Sequence, residues 1–110
     1  MDELQFNTLR ELTNDFTLSQ RDLSRRMGLS LGKVNYIVNA LLEKGYIRTE
    51  RFKNSKNKMA YLYILTPKGM AEKIRQTHAF LKLKTTEYEQ LKEEIDQLGQ
   101  EIGETPIERR

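Results

Sequence analysis

The chain has 110 residues, 37% hydrophobic and 32% charged, with a net charge of +3, which suits one domain with at most an extension. It holds no cysteine and a single histidine, so disulfide scaffolds, thiol catalysis and multi-histidine or cysteine metal sites are excluded, and no cofactor is expected. No apolar run reaches the roughly 18 residues of a membrane span, and the opening MDELQFNTLREL is acidic and amphipathic rather than a secretory signal, so a soluble, cytoplasmic protein is the expectation.

In chain order, the first expected helix covers residues 3–14. Asp2 with Gln5 resembles a capping box, and Phe6, Leu9, Leu12 and Phe16 recur at helical spacing. Phe16-Thr17-Leu18 reads as a short β-prone piece. A second helix starts at Ser19, which with Asp22 three residues on makes a capping box, flanked by Leu18 and Leu23 as a hydrophobic staple. Gly28 ends it. Ser30 caps a third helix, with Leu29 and Val34 as its staple, and this helix runs to Lys44 and stops at Gly45. Leu31, Val34, Ile37, Val38, Leu41 and Leu42 fall within an arc of about 140° at 100° per residue. Gly32, Lys33, Asn35, Tyr36 and Asn39 fall outside it. Two helices joined by a tight glycine-containing turn make a helix-turn-helix.

Tyr46–Phe52 and Ala60–Leu65 carry strand-favouring residues around the polar tip Lys53–Lys58. This predicts a β-hairpin with a basic tip. Three helices followed by a hairpin give the winged helix-turn-helix plan: mainly α with a small hairpin, formally α+β. Thr66-Pro67 then opens a last helix, with Thr as cap and Pro at the first helical position. Heptad a-positions at Ile74, Leu81, Tyr88, Ile95 and Ile102, and d-positions at Thr77, Lys84, Leu91 and Leu98, carry the pattern to about residue 102. Such a helix is about 54 Å long at 1.5 Å per residue. It is therefore expected to project and pair as a coiled coil, through Ile74, Leu81, Tyr88, Leu91, Ile95 and Leu98, into a homodimer. The expected organisation is a head over 1–69, a dimerisation helix over 70–102 and a disordered tail over 103–110.

Charge is uneven along this plan. Residues 1–70 hold 12 Lys/Arg against 7 Asp/Glu, and residues 71–110 hold 7 against 9. The densest basic stretch is Lys44–Lys58, which suits a polyanion such as nucleic acid.

The run LSQRDLSRRMGLSLGKVNYIVNALLEKG over residues 18–45 and YLYILTPKG over 61–69 resemble MarR-type winged-helix transcriptional regulators. SLGKVNY at 30–36 and NSKNK at 54–58 are most similar to a small subgroup of exopolysaccharide-associated MarR family regulators. The chain departs from the larger family in being shorter, with one long C-terminal helix. It also carries Asn54–Lys58 where the family's wing commonly has an Asp-x-Arg pair. The resemblance implies a DNA-binding transcriptional regulator, with exopolysaccharide genes as its targets.

In the helix-turn-helix mode the third helix enters the major groove, so Ser30, Gly32, Lys33, Asn35, Tyr36 and Asn39 are the candidate recognition residues. Ser19, Gln20 and Arg21 open the second helix, whose N-terminus can meet a phosphate. Arg51, Lys53, Asn54, Ser55, Lys56 and Lys58 form the candidate wing contacts, which position without specifying. A dimer implies double-stranded DNA with a palindromic site. The alternative is a protein-interaction module, for which the acidic residues Glu87, Glu89, Glu93, Glu94 and Asp96 on the last helix would serve. An enzyme is not expected: His78 is alone, and Ser19 and Ser30 are better explained as caps.

Overall fold

A computed structural model describes residues 1–53 and 55–103. The elements in order are α1 (Glu3–Asn14), α2 (Gln20–Met27), α3 (Leu31–Glu43), β1 (Ile47–Lys53), β2 (Met59–Leu65) and α4 (Pro67–Glu101). The expected helix, helix, helix, hairpin, helix order is the observed one. The chain divides into two compact units, Met1–Gln76 and one beginning at Thr77.

In the first unit, capping fixes where each helix begins. The Asp2 carboxylate accepts the Gln5 N–H at 2.7 Å. Gln5 does not complete a box; its side-chain carbonyl accepts from Lys44 Nζ at 3.1 Å instead. At α2 the box is complete: Ser19 Oγ accepts the Asp22 N–H at 3.1 Å, and Asp22 accepts the Ser19 N–H at 2.9 Å. Ser30 Oγ accepts the Lys33 N–H at 3.1 Å and opens α3. Gly28 and Gly45 take left-handed φ values of 65° and 75°, conformations glycine reaches without the Cβ penalty. At Gly45 the N–H reaches Leu42 O, and the next N–H, of Tyr46, reaches Leu41 O, both at 3.0 Å. This releases the chain into the wing.

Leu9, Leu12, Leu18, Leu23, Val34, Ile37, Val38, Leu41, Ile47 and Tyr63 form one core. Two positions that spacing assigns to the apolar faces of α1 and α3 are exposed instead. Phe16 is 54% exposed, because α1 ends at Asn14 and Asp15 turns the chain by accepting the Thr17 N–H at 2.9 Å. That turn also replaces the β-prone piece expected at Phe16–Leu18. Leu31 is 44% exposed; it is the first residue of α3, a turn short of the positions that reach the core.

β1 and β2 pair antiparallel, from Ile47 opposite Leu65 at the base to Lys53 opposite Met59 at the tip. The base is buried at Ile47 and Tyr63, and the tip is exposed. Thr66 then caps α4 by accepting the Gly69 N–H at 3.0 Å, and its hydroxyl donates to Gly45 O at 2.5 Å. The first turn of α4 is thereby tied to the end of α3.

In the second unit α4 continues from Thr77 to Glu101. Leu81, Leu83, Tyr88, Leu91, Leu98 and Ile102 are all exposed there, Ile95 is half-buried, and Ile74, in the first unit, is also exposed. Lys84 pairs with Glu87 at 3.4 Å along the helix. Of the expected tail 103–110, Gly103 is an exposed turn residue, and the remainder lies outside the described residues. Among the described residues no helix is long and apolar enough to cross a membrane, and no group of three His, Asp or Glu residues is placed to hold a metal ion.

Candidate nucleic-acid interface

The buried face of α3, through Val34, Ile37, Val38 and Leu41, fixes its rotation. The opposite face follows from that packing: Gly32, Lys33, Asn35, Tyr36 and Asn39 are all exposed. Tyr36 is 69% exposed, and Lys33 lies over its ring, with Nζ 5.4 Å from the centroid. An ammonium over a ring is attracted by the ring's negative face, so the two side chains share one surface at the start of α3.

The start of α2 lies beside them. Ser19, Gln20, Arg21, Leu31, Gly32 and Asn35 line one cleft between the two helix starts. Side-chain amides join its walls. Asn39 Nδ2 donates to Asn35 Oδ1 at 3.1 Å, Asn35 Nδ2 donates to Gln20 Oε1 at 3.2 Å, and Gln20 Nε2 donates to Tyr63 Oη at 3.1 Å. The structure thus brings Gln20, Asn35 and Asn39 together. It adds Tyr63 from β2, a residue that helical spacing alone did not single out.

The charges around α2 are largely spoken for. Ser19's backbone N–H and hydroxyl, then Arg25, stabilise the ionised Asp22 and lower its carboxyl from 3.8 to about 2. Arg25 pairs with Asp22 at 2.6 Å and Arg26 with Glu11 at 3.4 Å. These two arginines belong to the flank. Arg21 is exposed at the cleft.

On the wing, Arg51, Lys53, Ser55, Lys56 and Lys58 are exposed, and Asn54 lies outside the described residues. Arg51 lies against Tyr61, with its guanidinium carbon 5.5 Å from the ring centroid and Nη2 donating to Tyr61 Oη at 3.2 Å. Arg48 pairs with Glu50 at the outer edge of β1.

The family described as "Winged helix-turn-helix DNA-binding" matches residues 1–48, the helical part of the head. No curated protein sequence matches the chain. Among solved structures it is similar to the PcaV transcriptional regulator from Streptomyces coelicolor, at 20% identity and a TM-score of 0.64, over 76% of this chain and 60% of PcaV. It is also similar to Staphylococcus aureus MepR solved in complex with DNA, at 20% identity and a TM-score of 0.65, over 93% of this chain and 78% of MepR. A MarR/EmrR family transcriptional regulator from Acinetobacter sp. ADP1 matches at 22% identity and a TM-score of 0.62, over 93% of this chain and 76% of that one. The fold is the winged helix-turn-helix of MarR-type regulators.

Proposed function

We propose that this chain is a sequence-specific DNA-binding transcriptional regulator that works as a homodimer. The observation that carries the reading is the outer face of α3, and Gly32 above all. Gly32 is an exposed helical residue with ordinary φ, and a Cβ built on it meets nothing within 4 Å. Alanine at a site of this kind stabilises a protein by about 0.4–1 kcal/mol, chiefly by restricting the unfolded chain. The fold alone therefore favours alanine. A glycine is useful there when an outside surface must approach the backbone closely, as DNA does at the start of a recognition helix. Lys33, Asn35, Tyr36 and Asn39 then face base edges, while Ser30 serves as the α3 cap. An amide suits adenine N6 and N7, and a lysine suits guanine or phosphate. Ser19 and Arg21 at the start of α2 meet the flanking backbone, while the Gln20 amide between them is held by Tyr63 and Asn35. The wing residues Arg51, Lys53, Ser55, Lys56 and Lys58, with Asn54, grip phosphates and position the head.

Gly32→Ala tests this by moving two quantities in opposite directions. Thermal unfolding is expected to show a variant at least as stable as the parent. Duplex affinity is expected to fall roughly tenfold, about 1.4 kcal/mol. A variant that binds duplex as tightly as the parent would show that nothing approaches this helix start.

The dimer reading rests on the row Ile74, Leu81, Tyr88, Leu91, Ile95 and Leu98, all but Ile95 exposed in the single chain. A heptad row of this kind is buried by pairing with a second helix. A Leu91→Glu, Leu98→Glu double variant is expected to sediment as a monomer at micromolar concentration; an unchanged dimer would place the interface elsewhere. Control of exopolysaccharide genes rests on the similarity of SLGKVNY and NSKNK, and a site near such genes in a genomic binding map would support it. If the chain shows no binding to any duplex at low salt, the protein-interaction reading takes its place.

A further inference from the structure

We propose that Tyr63, a wing residue that reaches no outside surface, is a positioning residue for base readout. Through Gln20 its hydroxyl holds the Asn35 carboxamide in the place where the recognition helix offers it to DNA. This rests on the DNA-binding reading above and adds to it a residue from another element.

Three features of this relay of hydrogen bonds carry the inference. First, its anchor is fixed. Tyr63 is 7% exposed and packs in the core with Ile47 and Leu41, so its ring cannot follow a mobile partner. Phenylalanine would fill the same space, and a buried tyrosine hydroxyl ordinarily has a hydrogen-bond partner. Here that partner is Gln20, 43 residues away in sequence.

Second, the relay has no break. Gln20 is half-buried in the first turn of α2, and it donates to Tyr63 Oη while accepting from Asn35 Nδ2. Asn35 in turn accepts from Asn39. Hydrogen bonds in a chain polarise one another and strengthen as a set. Turning over the Asn35 amide alone would set oxygen against Gln20 Oε1 and nitrogen against Asn39 Nδ2. Its orientation is thus tied to that of its neighbours.

Third, the relay does not exhaust Asn35. A carboxamide has two N–H donors and an oxygen with two lone pairs. One donor is given to Gln20 and one lone pair to Asn39. One N–H and one lone pair remain, the pair of groups that an adenine N7 and N6 can use. An amide side chain that is already ordered loses less rotamer freedom when it meets its target. The relay therefore favours the base Asn35 fits, and it leaves phosphate binding untouched.

Tyr63→Phe tests this, since it keeps the ring and removes only the anchor. The probes are a duplex selected from a random pool with the unsubstituted chain, and a random duplex of equal length. The ratio of the two affinities is expected to fall about five- to tenfold, with random-duplex affinity and salt slope close to those of the parent and a melting temperature lower by about 4–8 °C, the cost of one hydrogen bond. In the Gln20→Ala background, Tyr63→Phe is expected to have no further effect on the ratio, because the relay is already cut. An unchanged ratio in Tyr63→Phe, or a full additional loss in the double variant, would overturn the proposal. The free protein gives a separate reading. The Asn35 side-chain amide resonances should move toward the positions of a solvated amide in Tyr63→Phe, and resonances that stay put would overturn the relay whatever the DNA result. Failure of the unsubstituted chain to bind any duplex would instead overturn the DNA-binding reading, and the readout role with it.

Discussion

Gly69→Ala is expected to destabilise the head by about 3 kcal/mol or more, near the upper end of what overpacking costs. A Cβ on Gly69 would lie 1.9 Å from the carbonyl oxygen of Tyr46 and 2.7 Å from its carbonyl carbon. Both are backbone atoms, so no side chain can swing aside to make room. Nor can the two segments separate freely. Tyr46 O accepts the Thr66 N–H at 3.0 Å, and Lys68 Nζ donates to Lys44 O at 2.9 Å. Thr66 bonds at once to Gly45 O and to the Gly69 N–H. Relieving the clash means opening this clamp, at about 1 kcal/mol for each hydrogen bond broken. For a domain of this size, each kcal/mol shifts the melting temperature by roughly 4–8 °C, so a fall of about 12 °C or more should appear in thermal unfolding followed by circular dichroism. Gly32→Ala is the matched control, one glycine with open space around it and one with none. Equal stability for the two variants would show that the α4 start does not dock on the end of α3 as described.

The second large effect is on binding. A dimer presents two α3 faces and two basic wings, and neutralisation of roughly 6–10 phosphates follows. Duplex affinity should then fall about a thousandfold or more between 50 and 200 mM salt, as released counterions are set against a rising bulk concentration. Lys56→Ala should lower the salt slope by about one for each phosphate left without its lysine, and weaken all sequences alike. Fluorescence anisotropy across a salt series measures both quantities. A nearly flat response would contradict the assignment of the basic stretch at residues 44–58 to DNA.

The elements could be read from the sequence where a local rule determines the outcome. Ser19 with Asp22, Ser30, Thr66-Pro67, Gly28 and Gly45 mark helix ends by short-range chemistry, and each marks one in the structure. The exposed face of α3 was legible for a related reason: period fixes which residues share a side, and the apolar set declares which side packs. Periodicity misled at the ends of helices. Phe16 continues the α1 spacing beyond the turn made by Asp15, and Leu31 lies on the right arc but at the first helical position, so both remain exposed. The rest depends on packing across the chain that no period encodes. Gln20 meets Asn35 and Tyr63 only because α2, α3 and β2 converge. Gly69 was recognisable as part of the wing-to-helix segment, but its need for a bare Cα comes from Tyr46, 23 residues earlier. The one clue to Tyr63 in the sequence was a hydroxyl at a strand position where Phe would pack as well.

The central claim is that the outer face of α3 reads double-stranded DNA in a two-fold dimer. It is tested most directly by selecting duplexes from a random pool with the full chain and sequencing those retained. The expected result is an enriched two-fold symmetric site whose half-sites lie about one helical turn, or a multiple of it, apart. A Gly32→Ala chain should retain the same site more weakly. A pool in which no sequence is enriched, although the chain is folded and dimeric, would contradict the claim.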